Sequence, residues 1–364
     1  MGFLSITTHN FRNLDNQCVC TDHGEVFLVG DNGQGKTNFI EAVYLLCYGS
    51  SFRTKRDKLL IKHGCGSAWI RGVYSFHSGN EMTIVVKIEQ GKEVLVNGKR
   101  VRDRKELIEN VPCIIFSHDD IQFIKGPPER QRWFFNQIMS MFDSYYIDIH
   151  RNYRKIVKTR NNLLKERDGS LIDVYDAQLA GVGIEIQKKR ETSIREFNET
   201  FTPLFSDISG LDTPVEIRYL PSWKGAEKSE DAAAVLRNTI NRDREYGTTT
   251  TGPHRDRIRF IRDGMDFSKT ASTGQLRLMS LALRVSQSIY YREKTGREPL
   301  LLLDDVLLEL DTEKRKKFVT LLPEYEQAFF TFLPDEQYLV FKKEKIADYL
   351  VDKGKITEKH ETGA

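Results

Sequence analysis

Gly30-Asp31-Asn32-Gly33-Gln34-Gly35-Lys36-Thr37 is the stretch that decides the fold of this 364-residue chain. It fits G-x-x-x-x-G-K-[ST] and stands between an apolar run, Val26-Phe27-Leu28-Val29, and a helical pattern that begins at Asn38-Phe39-Ile40. Strand, loop and helix thus follow in the order a phosphate-binding loop requires. Glycines let the backbone turn tightly so that successive N–H groups point at phosphate oxygens, and the next helix adds the partial positive charge of its N-terminus. Lys36 is then placed to reach the β- and γ-phosphates of a nucleotide, and the Thr37 hydroxyl to ligate Mg²⁺. A glycine-rich turn before a helix is often only structural; the terminal Lys-Thr and the flanking pattern set this one apart.

A second piece lies most of the chain away. Pro299 precedes Leu300-Leu301-Leu302-Leu303 and then Asp304-Asp305. A continuous apolar run is the signature of a parallel strand buried on both faces. Ligands of open parallel sheets lie beyond the carboxyl ends of the strands, which puts Asp304 near the Mg²⁺ and Asp305 near an attacking water. Taken alone, the run is equally a strand ending in two solvated aspartates. Upstream of it, Ser272-Thr273-Gly274-Gln275 has the S-x-x-Q spacing of a capping box, and Leu278, Leu281, Ala282, Val285 and Ile289 form one helical face. A plain helix start explains that turn. The succession of turn, helix, buried strand, two acids and Glu309-Leu310-Asp311 nevertheless resembles ABC-type ATPases. That resemblance implies a signature serine and glycine that cap the γ-phosphate of ATP held by a second subunit, and so a dimer across two shared nucleotides.

The chain is long enough for a full core and about two domains. With 39% hydrophobic and 29% charged residues it has the composition of a soluble globular protein. It lacks both an apolar run of about 18 residues and a basic-then-apolar leader, so a cytoplasmic location is expected. Five scattered cysteines, Cys18, Cys20, Cys47, Cys65 and Cys113, predict reduced and mostly buried thiols, with Cys18 and Cys20 sharing a strand face. Net charge is only +3, from 55 basic and 52 acidic residues, so local patches matter more than the total. Basic clusters recur at 53–62, 99–105, 151–160 and 237–262. Any one is ordinarily a solvated face; four on a phosphate-loop protein raise nucleic acid as a partner.

Short strands are expected at the N-terminus and at 73–76, 83–88 and 94–97, with Asn97-Gly98 as a two-residue hairpin turn. They form an antiparallel layer attached to a parallel core, with 111–116 as a further buried strand. From Asp143 the period becomes helical. Tyr146, Ile149, Tyr153, Ile156 and Leu163, interrupted by Arg160, and then Tyr175, Leu179, Val182, Ile186 and Phe197 imply two amphipathic helices joined near Asp168-Gly169-Ser170. Helices of about 25 residues reach about 37 Å, a short arm. Residues 211–231, with Pro214, Pro221 and Gly225, read as an irregular link. The fold class is α/β: a discontinuous head, 1–140 and 232–364, and a helical arm, 141–231.

Together the pieces resemble the RecF family, bacterial recombinational-repair ATPases related to SMC-type heads. The resemblance spans nearly the whole chain. It rests on the phosphate loop, the Ser272 turn, Leu301–Asp311, Asn10-Phe11-Arg12-Asn13-Leu14, Phe116-Ser117-His118-Asp119-Asp120, Lys125-Gly126-Pro127-Pro128-Glu129-Arg130-Gln131-Arg132 and Thr251-Gly252-Pro253-His254-Arg255-Asp256. It implies an ABC-type head with a short helical arm, and an ATP-dependent homodimer that binds double-stranded DNA and gapped, single-stranded junctions. It further implies work with RecR and RecO to place RecA, with roles in replication restart and SOS induction. Carried over residue by residue, Lys36 and Thr37 go to phosphate and Mg²⁺, Asp304 to Mg²⁺, and Asp305 to the water. Ser272 and Gly274, with Gln275 beside them, go to the partner's nucleotide.

The chain departs from the family at Leu308, where a serine is usual, and at His118, where proline is frequent. Asp305 stands where the wider superfamily uses glutamate, and no switch histidine is evident near Phe329-Phe330-Thr331. Slow hydrolysis is the expected consequence, with ATP acting chiefly as a clamp. Arg130, Arg132, Arg151, Arg154, Lys158 and Arg255 are candidates for DNA contact; each could equally serve an internal ion pair. Two other readings stay open: a transporter-energising subunit, which the long basic interval between the two site pieces disfavours, and a clamp that binds ATP without turnover.

Overall fold

The computed structural model describes residues 2–166, 171–306, 312–334 and 346–359. Its contacts divide the chain into two compact units, 1–118 with 291–364, and 119–290. The first unit is discontinuous and is cut at 118 and 290, whereas the expected head and arm are bounded at 140 and 232. The difference arises because the helix at 128–142 and the strands at 216–266 pack with the long helices of the second unit.

The first unit opens with β1 (Gly2–His9), β2 (Gln17–Cys20), β3 (Glu25–Val29) and α1 (Lys36–Tyr48), then β4 (Ala68–Ser75), β5 (Glu81–Ile88), β6 (Lys92–Val96), β7 (Lys99–Arg100), α2 (Lys105–Asn110) and β8 (Cys113–Phe116). The second unit holds α3 (Gln122–Lys125), α4 (Pro128–Phe142), α5 (Ser144–Glu166), α6 (Ile172–Ser209), β9 (Glu216–Leu220), α7 (Ser229–Tyr246), β10 (Arg257–Arg262), β11 (Met265–Asp266), α8 (Phe267–Thr270) and most of α9 (Thr273–Thr295). The chain returns to the first unit with β12 (Leu300–Leu303), α10 (Thr312–Leu321), β13 (Ala328–Phe332), β14 (Ile346–Asp352) and β15 (Lys355–Glu358).

Two six-stranded sheets build the first unit. One is antiparallel, in the order β2-β1-β4-β5-β6-β7, and turns at Asn97-Gly98 with both residues at positive φ. The other has the order β15-β14-β3-β13-β12-β8 and is parallel apart from the β14–β15 hairpin. Helix α1 packs against strands of both sheets, and 11 of its 13 residues are buried. That explains why the pattern after Thr37 is apolar nearly all round rather than one-sided. Phe39, Ile40, Leu45 and Leu46 of α1 share one core with Phe3, Ile6, Ile70 and Ile84 from the antiparallel sheet and Val26, Leu28, Leu300 and Leu302 from the parallel one.

In the second unit α6 runs for 38 residues, about 57 Å at 1.5 Å per residue, longer than the arm expected from its apolar period. The joint at 168–170 lies outside the described residues. Residues 211–231 are not an irregular link throughout: they include β9, which pairs with β10 in a three-stranded antiparallel sheet. Arg160, the interruption in the α5 period, is fully buried. It reaches Asp176 Oδ1 at 2.5 Å, Asp243 Oδ2 at 2.7 Å and Thr249 Oγ1 at 2.9 Å, so one guanidinium ties α5 to α6, α7 and the following loop. A buried charge persists when it is paired and hydrogen-bonded in this way. The five cysteines are free thiols, but Cys18, Cys20 and Cys65 are exposed, contrary to a mostly buried set. Cys18 and Cys20 sit on one face of an edge strand, which leaves them outside the core.

His254 sits in the second unit with Nδ1 2.8 Å from the Tyr153 hydroxyl and Nε2 3.0 Å from the Thr249 carbonyl. Burial, with Arg255, Arg132 and Arg190 nearby, lowers its pKa to about 4. An unfolded histidine titrates near 6.5, so the unfolded chain takes up the proton first and stability falls as pH drops from 6.5 towards 4. The advantage in unfolding free energy of wild type over His254→Asn is therefore expected to shrink by about 2 kcal/mol between pH 7 and 5, measured by urea unfolding. A difference that stays constant with pH contradicts this.

Candidate nucleotide site

Parallel pairing brings the two sequence pieces together. Strand β13 lies between β3 and β12, so the carboxyl ends of β3, carrying the phosphate loop, and β12, carrying the two aspartates, open on the same edge of the sheet. Gly30 lies against β14: a Cβ there would fall 2.3 Å from the Val351 carbonyl oxygen, so no side chain fits. Gly35 has φ 125 and precedes α1, whose N-terminus carries no side-chain cap. The first-turn N–H groups of that helix are thus left without a side-chain acceptor, which is the donor array a phosphate needs.

Lys36 is 3% exposed, and its ammonium donates to the carbonyls of Gly30 at 2.6 Å and Asp31 at 3.2 Å. The Thr37 hydroxyl donates to Asp304 Oδ1 at 2.8 Å across 267 residues of sequence. Burial, then the charge of Asp305, pushes the Asp304 carboxyl up to about 7, while the Thr37 hydroxyl, Arg53 and Lys36 pull it down. A half-buried hydroxyl beside a buried carboxylate is the hard-oxygen donor set that suits Mg²⁺. Asp31, Asn32 and Gly33 are exposed along the same loop.

Asp305 adopts φ 52, a left-handed conformation that is uncommon for a residue other than glycine. Thr331 of β13 holds it there. Its hydroxyl oxygen accepts from the Asp305 N–H at 2.7 Å and lies 2.8 Å from Asp305 Oδ1. Sequence reasoning looked at this position for a histidine and missed the threonine, because hydroxyl and carboxylate meet only through strand register.

Other site residues were missed for the same reason. Glu41 of α1 is fully buried and gripped bidentately by Arg12, with Nε–Oε2 and Nη2–Oε1 both 2.9 Å. Ser51 donates to the same carboxylate, and Arg53 approaches it at 3.4 Å while donating to Asn38 Oδ1 at 2.7 Å. Asn13 donates to the Gly33 carbonyl at 3.2 Å and accepts from Asn38 at 2.6 Å. From the other end of the chain, the β14–β15 turn clamps Gln34: Lys353 N–H donates to its Oε1 at 2.7 Å and Gly354 N–H to its carbonyl at 2.8 Å. The phosphate loop is therefore fixed from both flanks. Only the quoted Asn10–Leu14 stretch signalled any of this.

The Ser272 turn belongs to the second unit. It forms the reciprocal capping box, with Ser272 N–H to Gln275 Oε1 at 2.9 Å and Gln275 N–H to Ser272 Oγ at 3.2 Å, at the start of the 23-residue α9. Ser272, Thr273 and Gly274 are exposed. Further along α9, Arg284 is buried, bidentate to Asp120 at 2.7 and 3.0 Å, with Phe123 and Phe134 against its guanidinium at 4.8 and 5.6 Å. The Glu309-Leu310-Asp311 loop and Leu308 lie outside the described residues.

The candidate DNA cations divide by partner. Arg132 donates to the Asp256 carbonyl at 2.7 Å, and Arg255 places Nε and Nη2 3.3 and 3.2 Å from the Thr249 carbonyl, so both support the Gly252–Asp256 turn. That turn is an internal junction: Arg190 bonds the Pro253 carbonyl at 2.6 Å and Asp256 at 2.8 Å, and Tyr219 donates to the same carboxylate. Arg151 meets Asp148 at 3.7 Å. Arg130 is exposed at the start of α4, and Arg154 and Lys158 are exposed on α5. Among the described residues there is no metal-binding cluster of three or more His, Cys, Asp or Glu, and no helix is long and apolar enough to cross a membrane.

Comparison with known proteins agrees with this architecture. The family model for the RecF/RecN/SMC N terminal domain matches residues 3–354. The chain is 41% identical over 350 residues to the DNA replication and repair protein RecF of Treponema pallidum, covering 96% of this chain and 99% of the relative. It is 32% identical over 359 residues to that of Leptospira interrogans, covering 96% and 98%. A solved structure of the recombination mediator protein RecF with ATP, from the RecFOR pathway, superposes with a TM-score of 0.89 at 29% identity, covering 99% of this chain and 98% of that one. An Smc head bound to the C-winged helix domain of ScpA shares the fold, with a TM-score of 0.57 at 15% identity and coverage of 98% and 97%. From the phosphate loop to the β14–β15 hairpin, this chain belongs to the RecF family, with the α/β head of the ABC type and a helical second domain.

Proposed function

We propose that the protein is an ATP-switched clamp on DNA. It dimerises on ATP, engages double-stranded DNA and gapped or single-stranded junctions, and works with RecO and RecR to promote RecA loading in recombinational repair, replication restart and SOS induction. The observation that carries this reading is the convergence of Lys36, Thr37 and Asp304 at one sheet edge, in a chain that also presents an exposed, capped Ser272-Thr273-Gly274 turn. The relatives' names support it: two are DNA replication and repair proteins, and one solved relative holds ATP.

In this reading Gly30–Thr37 would cradle the phosphates, Thr37 and Asp304 would hold Mg²⁺, and Ser272, Gly274 and Gln275 would serve the nucleotide of a second copy. Nucleotide and metal would supply the phosphoanhydride and the charge neutralisation of its phosphates. The protein's own part is positional. Lys36 is held by the Gly30 and Asp31 carbonyls, whose place a phosphate oxygen would take. Asp304 is buried, which raises its proton affinity, and the charge of a bound metal would favour its ionised form. Asp305 is aimed by Thr331 and orients or deprotonates the water. It is one methylene shorter than glutamate, which accords with slow, DNA-dependent hydrolysis that times release.

Three outcomes test the reading. ATP is expected to tighten wild-type binding to gapped DNA by at least about tenfold, and Lys36→Ala to abolish that gain; identical behaviour of the two proteins in a fluorescence titration sinks nucleotide gating. Asp305→Asn should lower phosphate release by about 10² while leaving ATP affinity intact; unchanged release favours a clamp without turnover. Thr331→Val is expected to lower kcat about tenfold with KM for ATP unchanged, and Thr331→Ser to restore it. A valine variant with wild-type kcat removes the positioning role of Thr331.

A further inference from the structure

Helix α5 carries three cations on one stripe. Arg154, Lys158 and Lys165 are spaced i, i+4 and i+11, so at 100° per residue they fall within about 40° of one another and span about 16.5 Å along the axis. All three are exposed, and none has an ion pair or side-chain hydrogen bond among the described residues. Of the other cations on the helix, Arg151 meets Asp148 and Arg160 is consumed in the core, while Lys155, also exposed, points about 60–100° away from the stripe. The stripe flanks a groove of about 440 Å³ that Asn161, Asn162 and His254 complete, with Tyr153 beneath.

The groove's fittings favour phosphates strung along a chain. Asn161 Oδ1 accepts from the Thr249 N–H and hydroxyl, both at 2.7 Å, which fixes the amide orientation and leaves its NH₂ as a donor. Both ring nitrogens of His254 are engaged internally, so the imidazole forms wall rather than charge. Tyr153 is 2% exposed with its hydroxyl against His254, which removes its ring as a stacking platform and leaves His254 as the remaining ring of the lining. Amide and cationic donors strung along one helix face read backbone rather than sequence. A 16.5 Å run is too long for a single small anion, whereas a DNA strand presents a phosphate about every 3.4 Å of duplex axis.

We infer that this α5 groove is a DNA-backbone site, with Arg154, Lys158 and Lys165 each neutralising a phosphate of one strand of a duplex. The inference rests on the DNA-binding reading above and assigns it a place. It also shifts weight away from Arg132 and Arg255, whose guanidinium groups serve the Gly252–Asp256 turn.

The test is binding of the full-length protein, with ATP, to a fluorescent duplex over a salt series. The Arg154→Gln/Lys158→Gln/Lys165→Gln variant is compared with wild type, and Lys158→Arg serves as the charge-conserving control. Each phosphate contact contributes about 0.9 to the slope of log K against log salt, so the triple variant should show a slope shallower by about 2.7 and an affinity at least about tenfold weaker at low salt. Lys158→Arg should keep the wild-type slope. Unchanged far-ultraviolet circular dichroism and nucleotide affinity show that the variant is folded. A triple variant with the wild-type slope overturns the groove assignment and leaves the DNA reading standing. Polyaspartate competing as well as duplex on a charge basis overturns it in favour of an acidic protein partner. A wild-type protein that binds no duplex at any salt overturns the DNA reading and the groove together.

Discussion

The 2.8 Å hydrogen bond from the Thr37 hydroxyl to Asp304 is the contact on which the first unit's chemistry depends. It requires β3 and β12 to lie in one parallel sheet with β13 between them, and a parallel sheet requires long crossovers. The excursion of the chain from α1 to β12 is therefore a topological necessity as well as a functional insert. Strands β4 to β7 of the antiparallel sheet and the whole second unit are accommodated within it.

Burial makes the site both rigid and charged. Helix α1 is covered by both sheets, so the carboxylate on its buried side, Glu41, must be paired, and Arg12 and Arg53 supply the countercharge while Ser51 donates a hydrogen bond. Removing one partner of such a pair leaves an uncompensated buried charge, at a cost of about 3–5 kcal/mol. The same grip fixes the Asn10–Leu14 loop beside the phosphate loop, while Lys353 and Gly354 hold Gln34 from the opposite end of the chain. A phosphate loop held from both sides undergoes little reorganisation when charge arrives, and that preorganisation is what favours binding.

Much of this was legible wherever the determining physics is local. The Gly30–Thr37 spacing, the four leucines before Asp304, the Asn97-Gly98 turn and the Ser272–Gln275 capping box are each written within about ten residues of sequence, and each was found in place. What escaped depends on register or on distant partners. Thr331 meets Asp305 only because β13 lies beside β12; Arg160 looked like a break in an apolar period until Asp176 and Asp243 closed around it. The polar stretch at 211–231 hid β9 because a short edge strand with alternating exposure carries little apolar signal. Whether Arg132 and Arg255 face DNA or an internal partner stayed open because a sequence does not show which carbonyls its arginines will reach.

The central claim is that a second copy of the chain completes the nucleotide site through the Ser272 turn. Sedimentation velocity with and without ATP, on wild type and on Ser272→Arg, tests it most directly. The wild-type protein is expected to move from monomer to dimer when ATP is added, and Ser272→Arg to remain monomeric while still binding ATP with the affinity of the wild-type monomer. A Ser272→Arg protein that dimerises on ATP as readily as wild type contradicts the claim.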